Sequence, residues 1–108
     1  MLTYYILDEN DEPRECADMR LWANWMVDNH ENYHLLDKVG GAEVSTVFLG
    51  VAHSQRAQPF LFETLVVDGG PELECVTARY SDYEDAKRGH QAIVGAAREA
   101  AMRGLTVD

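Results

Sequence analysis

Residues 44–67 constrain this chain more than any other stretch. They hold two β-forming runs, VSTVFLGV at 44–51 and FLFETLVV at 60–67, and the polar residues between His53 and Pro59 form a loop that closes a hairpin. In the first run Val44, Thr46, Phe48 and Gly50 share one side, with Ser45, Val47, Leu49, Val51 and His53 on the other. Both sides are largely apolar, so this strand is expected to be buried on both faces or covered by another protomer. In the second run Phe60, Phe62, Thr64 and Val66 oppose Leu61, Glu63, Leu65 and Val67, which leaves Glu63 a lone carboxylate in an apolar register. A buried, unpaired carboxylate costs several kcal/mol, so a partner is required. The turn signal Asp68-Gly69-Gly70-Pro71 leads into a third strand at 73–80. With that turn centred on Gly70, Glu63 faces Thr77 and Arg79 sits one diagonal away on the same side, in reach of a charge-assisted contact. A slip of one residue would move Glu63 beside Val76, Ala78 and Tyr80, and the register that satisfies the charge is preferred.

The flanks supply the remaining elements. Residues 3–7 read as a first strand, stopped by the charges and proline of 8–13. The loop that follows is the most negative part of the chain, and Asp8, Glu9, Asp11, Glu12 and Glu15 offer an anionic surface to a cationic partner. Asp18 caps a helix over residues 18–29 whose stripe is Met19, Trp22, Ala23 and Met26, widened by Leu21 and Trp25. Residues 30–41 read as a connector with an extra turn or short strand. A capping box at Ser81 and Glu84 starts the last helix, with Tyr83, Ala86, His90, Ile93 or Val94, Ala97 and Ala101 inside and Glu84 pairing with Lys87 or Arg88 outside. Gly104 is expected to end it. The order strand, helix, three-strand meander, helix defines one α+β domain over 1–108, with a four-stranded, mainly antiparallel sheet and both helices on one face.

Composition narrows the function classes. Nineteen acids against nine Lys and Arg give a net charge of −10, which argues against direct nucleic-acid binding and suits a basic protein partner. No apolar run reaches bilayer length and no leader pattern is visible, so an intracellular, non-membrane protein is expected. Cys16 and Cys75 are read as reduced structural thiols. His30 and His34 share the spacing of two metal ligands on one helix face, but no third ligand stands nearby, and they are read as surface histidines. No metal or cofactor is expected. His90, on the inner stripe of the last helix, is either a core histidine bonded to a strand side chain or a group that contacts ligand or transfers a proton.

Four ordered blocks carry a resemblance: Trp22-Ala23 with Trp25; residues 44–50 with His53; residues 61–64; and Arg79-Tyr80-Ser81 with Tyr83-Glu84 and Gly89-His90. Together, over roughly residues 22–94, they resemble a family of small bacteriophage and prophage proteins. Members tend to carry an acid just before the histidine at the position of His53 and a tryptophan at the position of Tyr83; here Ala52 and Tyr83 stand there. The resemblance implies a phage accessory protein in the cytoplasm of the bacterial host and no catalytic assignment. The function expected is binding rather than catalysis. Either the acidic loop occludes a basic surface on a host defence protein, or His53, Thr46, Glu63, Arg79, Tyr80 and His90 enclose a small anionic signal molecule. Two alternatives stay open: a small hydrolase or transferase using Glu63 or His53 with His90, and a structural homo-oligomer or virion-associated subunit. A homodimer is expected because two helices cover only one sheet face.

Overall fold

The structure, a computed structural model, describes residues 2–53, 56–70, 73 and 77–106. Strand β1 (Thr3–Leu7) turns back as β2 (Pro13–Glu15), helix α1 (Met19–Asn29) follows, and a single 3-10 turn (His30–Tyr33) leads into β3 (Leu35–Val39). The chain continues through β4 (Ala42–Phe48), β5 (Val51–Ala52), β6 (Phe62–Val67), β7 (Thr77–Tyr80) and helix α2 (Tyr83–Thr106). The fold is α+β with two antiparallel sheets, one of four strands ordered β3-β4-β6-β7 and one of three ordered β2-β1-β5.

The four-stranded sheet takes its fourth strand from an unexpected place. The connector at 30–41 supplies both a turn and a strand: Gly40, at φ +59°, and Gly41 fold β3 tightly onto β4, pairing Val39 with Ala42. β1 instead joins the second sheet, pairing with β2 and β5. The run at 44–51 therefore serves both sheets. It leaves the larger one after Phe48 and enters the smaller one at Val51. Gly50 makes that passage at φ +72°, where its carbonyl accepts from the Tyr5 amide at 2.8 Å and from the Trp22 indole at 3.0 Å. A Cβ there would stand 3.0 Å from the Met26 sulfur, so both the backbone angle and the space require glycine.

Helix starts follow local chemistry. Asp18 caps α1 by accepting from the amides of Arg20 and Leu21. Trp22, Trp25 and Met26 turn inward, whereas Met19, Leu21 and Ala23 are exposed, which moves Met19 and Ala23 off the expected stripe. At α2 the capping side chain is Asp82, which accepts from the Asp85 amide at 2.8 Å. Ser81 donates its hydroxyl to the Gln58 carbonyl at 3.1 Å instead, tying the helix start to the loop before β6. Glu84 pairs with Lys87, and the helix runs through Gly104 to Thr106 rather than ending there.

α2 packs on the inner face of the four-stranded sheet, along all four strands. The core beneath it has two apolar clusters. Leu7, Phe48, Ala52, Leu61, Phe62 and Ala86 form one, joined by Trp25, Tyr33 and Tyr83; Ala42, Val44, Val66, Leu73, Val94 and Ala97 form the other. At 56 × 27 × 20 Å and a radius of gyration of 15.9 Å the molecule is elongated, against about 13 Å for a compact chain of this length.

Candidate functional site

Between the two apolar clusters lies one layer of buried polar side chains. Each contributing element changes character there: β4 runs Val44, Thr46, Phe48; β6 runs Phe62, Thr64, Val66; α2 runs Ala86, His90, Val94. Thr46, Thr64 and His90 are all 0% exposed. The Thr46 and Thr64 hydroxyls, opposed in the β4–β6 register, lie 2.5 Å apart. Thr46 Oγ1 is also 2.7 Å from His90 Nδ1, and His90 Nε2 is 2.7 Å from Asp37 Oδ2. Asp37 projects from the inner side of β3 and is 42% exposed, so the chain of hydrogen bonds opens to water at the sheet edge.

The proton order follows from donor capacity. The Asp37 carboxylate accepts, so Nε2 carries a proton; a neutral ring then accepts at Nδ1 from Thr46, whose oxygen accepts from Thr64. If the ring is doubly protonated, Nδ1 donates and the hydroxyl chain reverses. The sequence Thr, His, Asp has the order of a nucleophile, base and orienting carboxylate. Thr46 sits at the bottom of the core, however, where no substrate atom can reach it.

The six residues expected to enclose a ligand fall into separate places. Thr46 and His90 meet in the buried layer. Glu63 and Arg79 lie on the opposite face, directly paired in the β6–β7 register and bonded at 2.9 Å. Their partnership follows the expected side of the strand, two residues displaced from the register with Thr77. The burial does not: Glu63 is 28% and Arg79 63% exposed, so the pair stands at the surface and not in a dry core. Leu65 and Val67, on the same side, are also exposed, because no described element covers that face. Tyr80 packs its hydroxyl against α2 where Gly89 leaves room, a Cβ at that position overlapping the ring oxygen. His53 is exposed beyond β5. Pro71, Glu72 and residues 74–76, which include Cys75 and Val76 of the third strand expected at 73–80, lie outside the described residues; the strand is described over Thr77–Tyr80.

Asp37 is the functional candidate that sequence reasoning missed. His30 and His34 line one cleft but take different partners: the His30 ring bonds to the Met26 carbonyl and His34 to the Ser45 hydroxyl.

The acidic stretch forms an ordered hairpin. Asp8 accepts from the amides of Asn10 and Glu12 and from Arg14 Nε at 2.8 Å. The Glu12 amide and Arg14 hold its carboxyl below the usual carboxylate range. Asp11, at φ +61°, accepts from the Tyr33 hydroxyl at 2.5 Å. Burial and that bond push the Tyr33 phenol up to about 12. Asp8 is thus occupied inside the hairpin and Asp11 by Tyr33 of the 3-10 turn, while Glu9, Glu12 and Glu15 face solvent. A cleft of about 400 Å³ opens between the hairpin and the start of α2, lined by Tyr5, Glu12, Glu15, Gln58 and Asp82 among others. Burial and nearby Glu15 raise the Tyr5 phenol above its ordinary value.

These features define an α+β domain with a saturated polar core layer and an anionic, prestructured hairpin. No protein-family model, curated protein or solved structure matches the chain. Among the described residues no helix is long and apolar enough to cross a membrane.

Proposed function

We propose that the protein acts by binding, as a phage-encoded accessory factor that occludes a basic surface on a host defence protein and self-associates while doing so. The observation that carries this reading is the ordered hairpin: the Asp8 carboxylate holds its turn, Asp11 ties it to Tyr33, and Glu9, Glu12 and Glu15 are exposed on it. A prestructured anionic surface gains affinity by avoiding the ordering cost of a mobile loop, and its field speeds encounter with a cationic partner. The phage setting rests on the resemblance of the sequence blocks. Sequestration of a small anionic signal has less support, since the polar groups suited to it are divided between the two faces of the sheet and the hairpin repels anions. The enzymatic alternative, Glu63 or His53 with His90, has less support for the same reason, Glu63 lying across the sheet from the buried His90 and His53 standing exposed after β5.

The test is binding to candidate host nucleases and adaptors by titration calorimetry, alongside a panel of cyclic nucleotides. The wild-type protein should bind a basic protein partner with an affinity that falls as salt rises, and the triple variant Glu9→Gln, Glu12→Gln, Glu15→Gln should lose about tenfold or more. Binding of a cyclic nucleotide with no protein partner found would overturn the occlusion reading.

A further inference from the structure

The register of β1 with β2 places Tyr5 opposite Glu15 and Leu7 opposite Pro13, so these four side chains share one side of the hairpin. Leu7 is buried, and across from this side the loop before β6 contributes Pro59 and Leu61, both buried as well. The cleft of about 400 Å³ between them is therefore apolar along Pro13, Pro59 and Leu61. Carboxylates reach it from three places: Glu12 at the turn end of β2, Glu15 at its far end, and Asp82 at the start of α2. An apolar cavity of this size with a few charged groups at its edge has the form of a site for one side chain or small molecule.

Charge decides which side chain. The cations nearby already have places: Arg14, also in the lining, donates to Asp8 at 2.8 Å, and the Arg56 guanidinium lies over the Phe60 ring at 4.2 Å. Asp82 keeps one oxygen on the Asp85 amide and stays anionic there. Among the described residues the Tyr5 hydroxyl has no hydrogen-bond partner, and burial together with Glu15 raises its phenol above the ordinary value. A cation with an apolar stem is complementary to such a cleft, and an anion is repelled by it.

The geometry points to this cleft as the seat of one arginine side chain from the basic partner. The inference rests on the binding reading above and deepens it: the hairpin acids draw the partner in, and the cleft selects what it inserts. The aliphatic stem covers Pro59 and Leu61, while the planar guanidinium lies on the Tyr5 ring and takes the neighbouring Glu15 carboxylate in its fork. A lysine meets the charge but not the ring and fork, since its ammonium is compact and strongly hydrated.

The probes are acetyl-Gly-Arg-Gly-amide, its lysine and citrulline counterparts, and spermidine, each titrated into the isotope-labelled full chain at about 0.15 M salt and followed by NMR. The arginine peptide should shift the amides of Tyr5, Ala57 and Gln58 with a Kd on the order of 1 mM. The lysine peptide should bind at least about fivefold more weakly and the citrulline peptide not at all. Two variants alter the cleft and spare both the core and the hairpin acids. Ala57→Trp fills it from an exposed wall, and Asp82→Asn removes a charge while keeping the helix cap. Each should weaken the arginine peptide about fivefold or more. Equal affinity for the lysine peptide, shifts confined to the hairpin tip at Glu9 and Asn10, or undiminished binding in both variants each overturns the assignment. Spermidine entering the cleft with no response to the arginine peptide overturns it in favour of a free polyamine. A basic protein that is lost by Glu9→Gln, Glu12→Gln, Glu15→Gln but held unchanged by both cleft variants removes the arginine seat and leaves occlusion standing. An arginine peptide seated in the cleft with no basic protein bound removes occlusion and leaves the seat.

Discussion

His90 accepts or donates at both ring nitrogens inside a core that water does not enter, and each of its neighbours depends on it. Replacing it by Leu leaves the Thr46 hydroxyl with Thr64 as its one side-chain partner and frees Asp37, and the expected loss in urea denaturation is about 1–3 kcal/mol. Thr46→Val with Thr64→Val removes a hydroxyl pair by shape-matched groups and should cost less in the His90→Leu background than in wild type, a non-additivity that a double-mutant cycle reads directly. Tyr33 offers a second test. Its phenol is raised from 10.0 to about 12 in the folded protein, so the stabilisation is complete below pH 10 and is lost as pH rises toward 12. Phenolate absorbance should show one of the five tyrosines titrating about two pH units late, and Tyr33→Phe should abolish that late step. Of these residues, His90 and Thr46 were legible in sequence because each occupies the apolar side of a periodic element. Asp37 was not: it lies 53 residues from His90 on a strand whose two charges, Asp37 and Lys38, lower its β-propensity.

At the scale of elements, the same strand shows where sequence reasoning ran short. Gly40-Gly41 between Val39 and Ala42 is a two-residue hairpin signal, and reading it as such would have placed Leu35–Val39 against Ala42–Phe48. The surface position of Glu63 and Arg79 was hidden for a different reason. Alternation assigns them to one side of the sheet, but with apolar residues on both sides it does not say which side a helix covers. α2 decides that through the buried face of Ala86, His90, Val94 and Ala97, which it lays on the strands. Closest of all is Gly89 against Tyr80. In an exposed helix Gly→Ala stabilises by up to about 1 kcal/mol; Gly89→Ala should instead destabilise, because the Tyr80 ring must move, and Gly89→Ala with Tyr80→Leu should recover much of the loss. At the helix start, Asp82→Ala should cost about 1 kcal/mol as a lost cap, while Ser81→Ala should leave the helix and loosen only the tether to Gln58.

The whole molecule is two sheets that share one polypeptide run, and Gly50 is where the load passes between them. The three-stranded sheet is small: β5 contributes two residues and β2 three, and α1, which has no fully buried residue, leans on it through Trp22 and Tyr4, whose rings meet edge to face at 4.8 Å. Too little apolar area is enclosed there to hold its shape alone, so this end depends on Trp25 and Tyr33 packing against Phe48 and Tyr83, and on the two bonds to the Gly50 carbonyl. The four-stranded sheet has α2 along its full length and the buried polar layer to fix its register, and shares with the other end the apolar cluster around Leu7, Ala52 and Phe62. Gly50→Ala forces a side chain into left-handed backbone at a cost of about 1–2 kcal/mol and presses on Met26 and the Trp22 indole. Amide exchange should then rise sharply at Tyr5, Cys16 and through α1, with little change at β4, β6 and the central turns of α2. The acidic hairpin would be the part set loose, so the same variant should weaken binding to a basic partner. An equal rise in exchange at both ends would mean that the two sheets unfold as one unit and that Gly50 is not the joint between them.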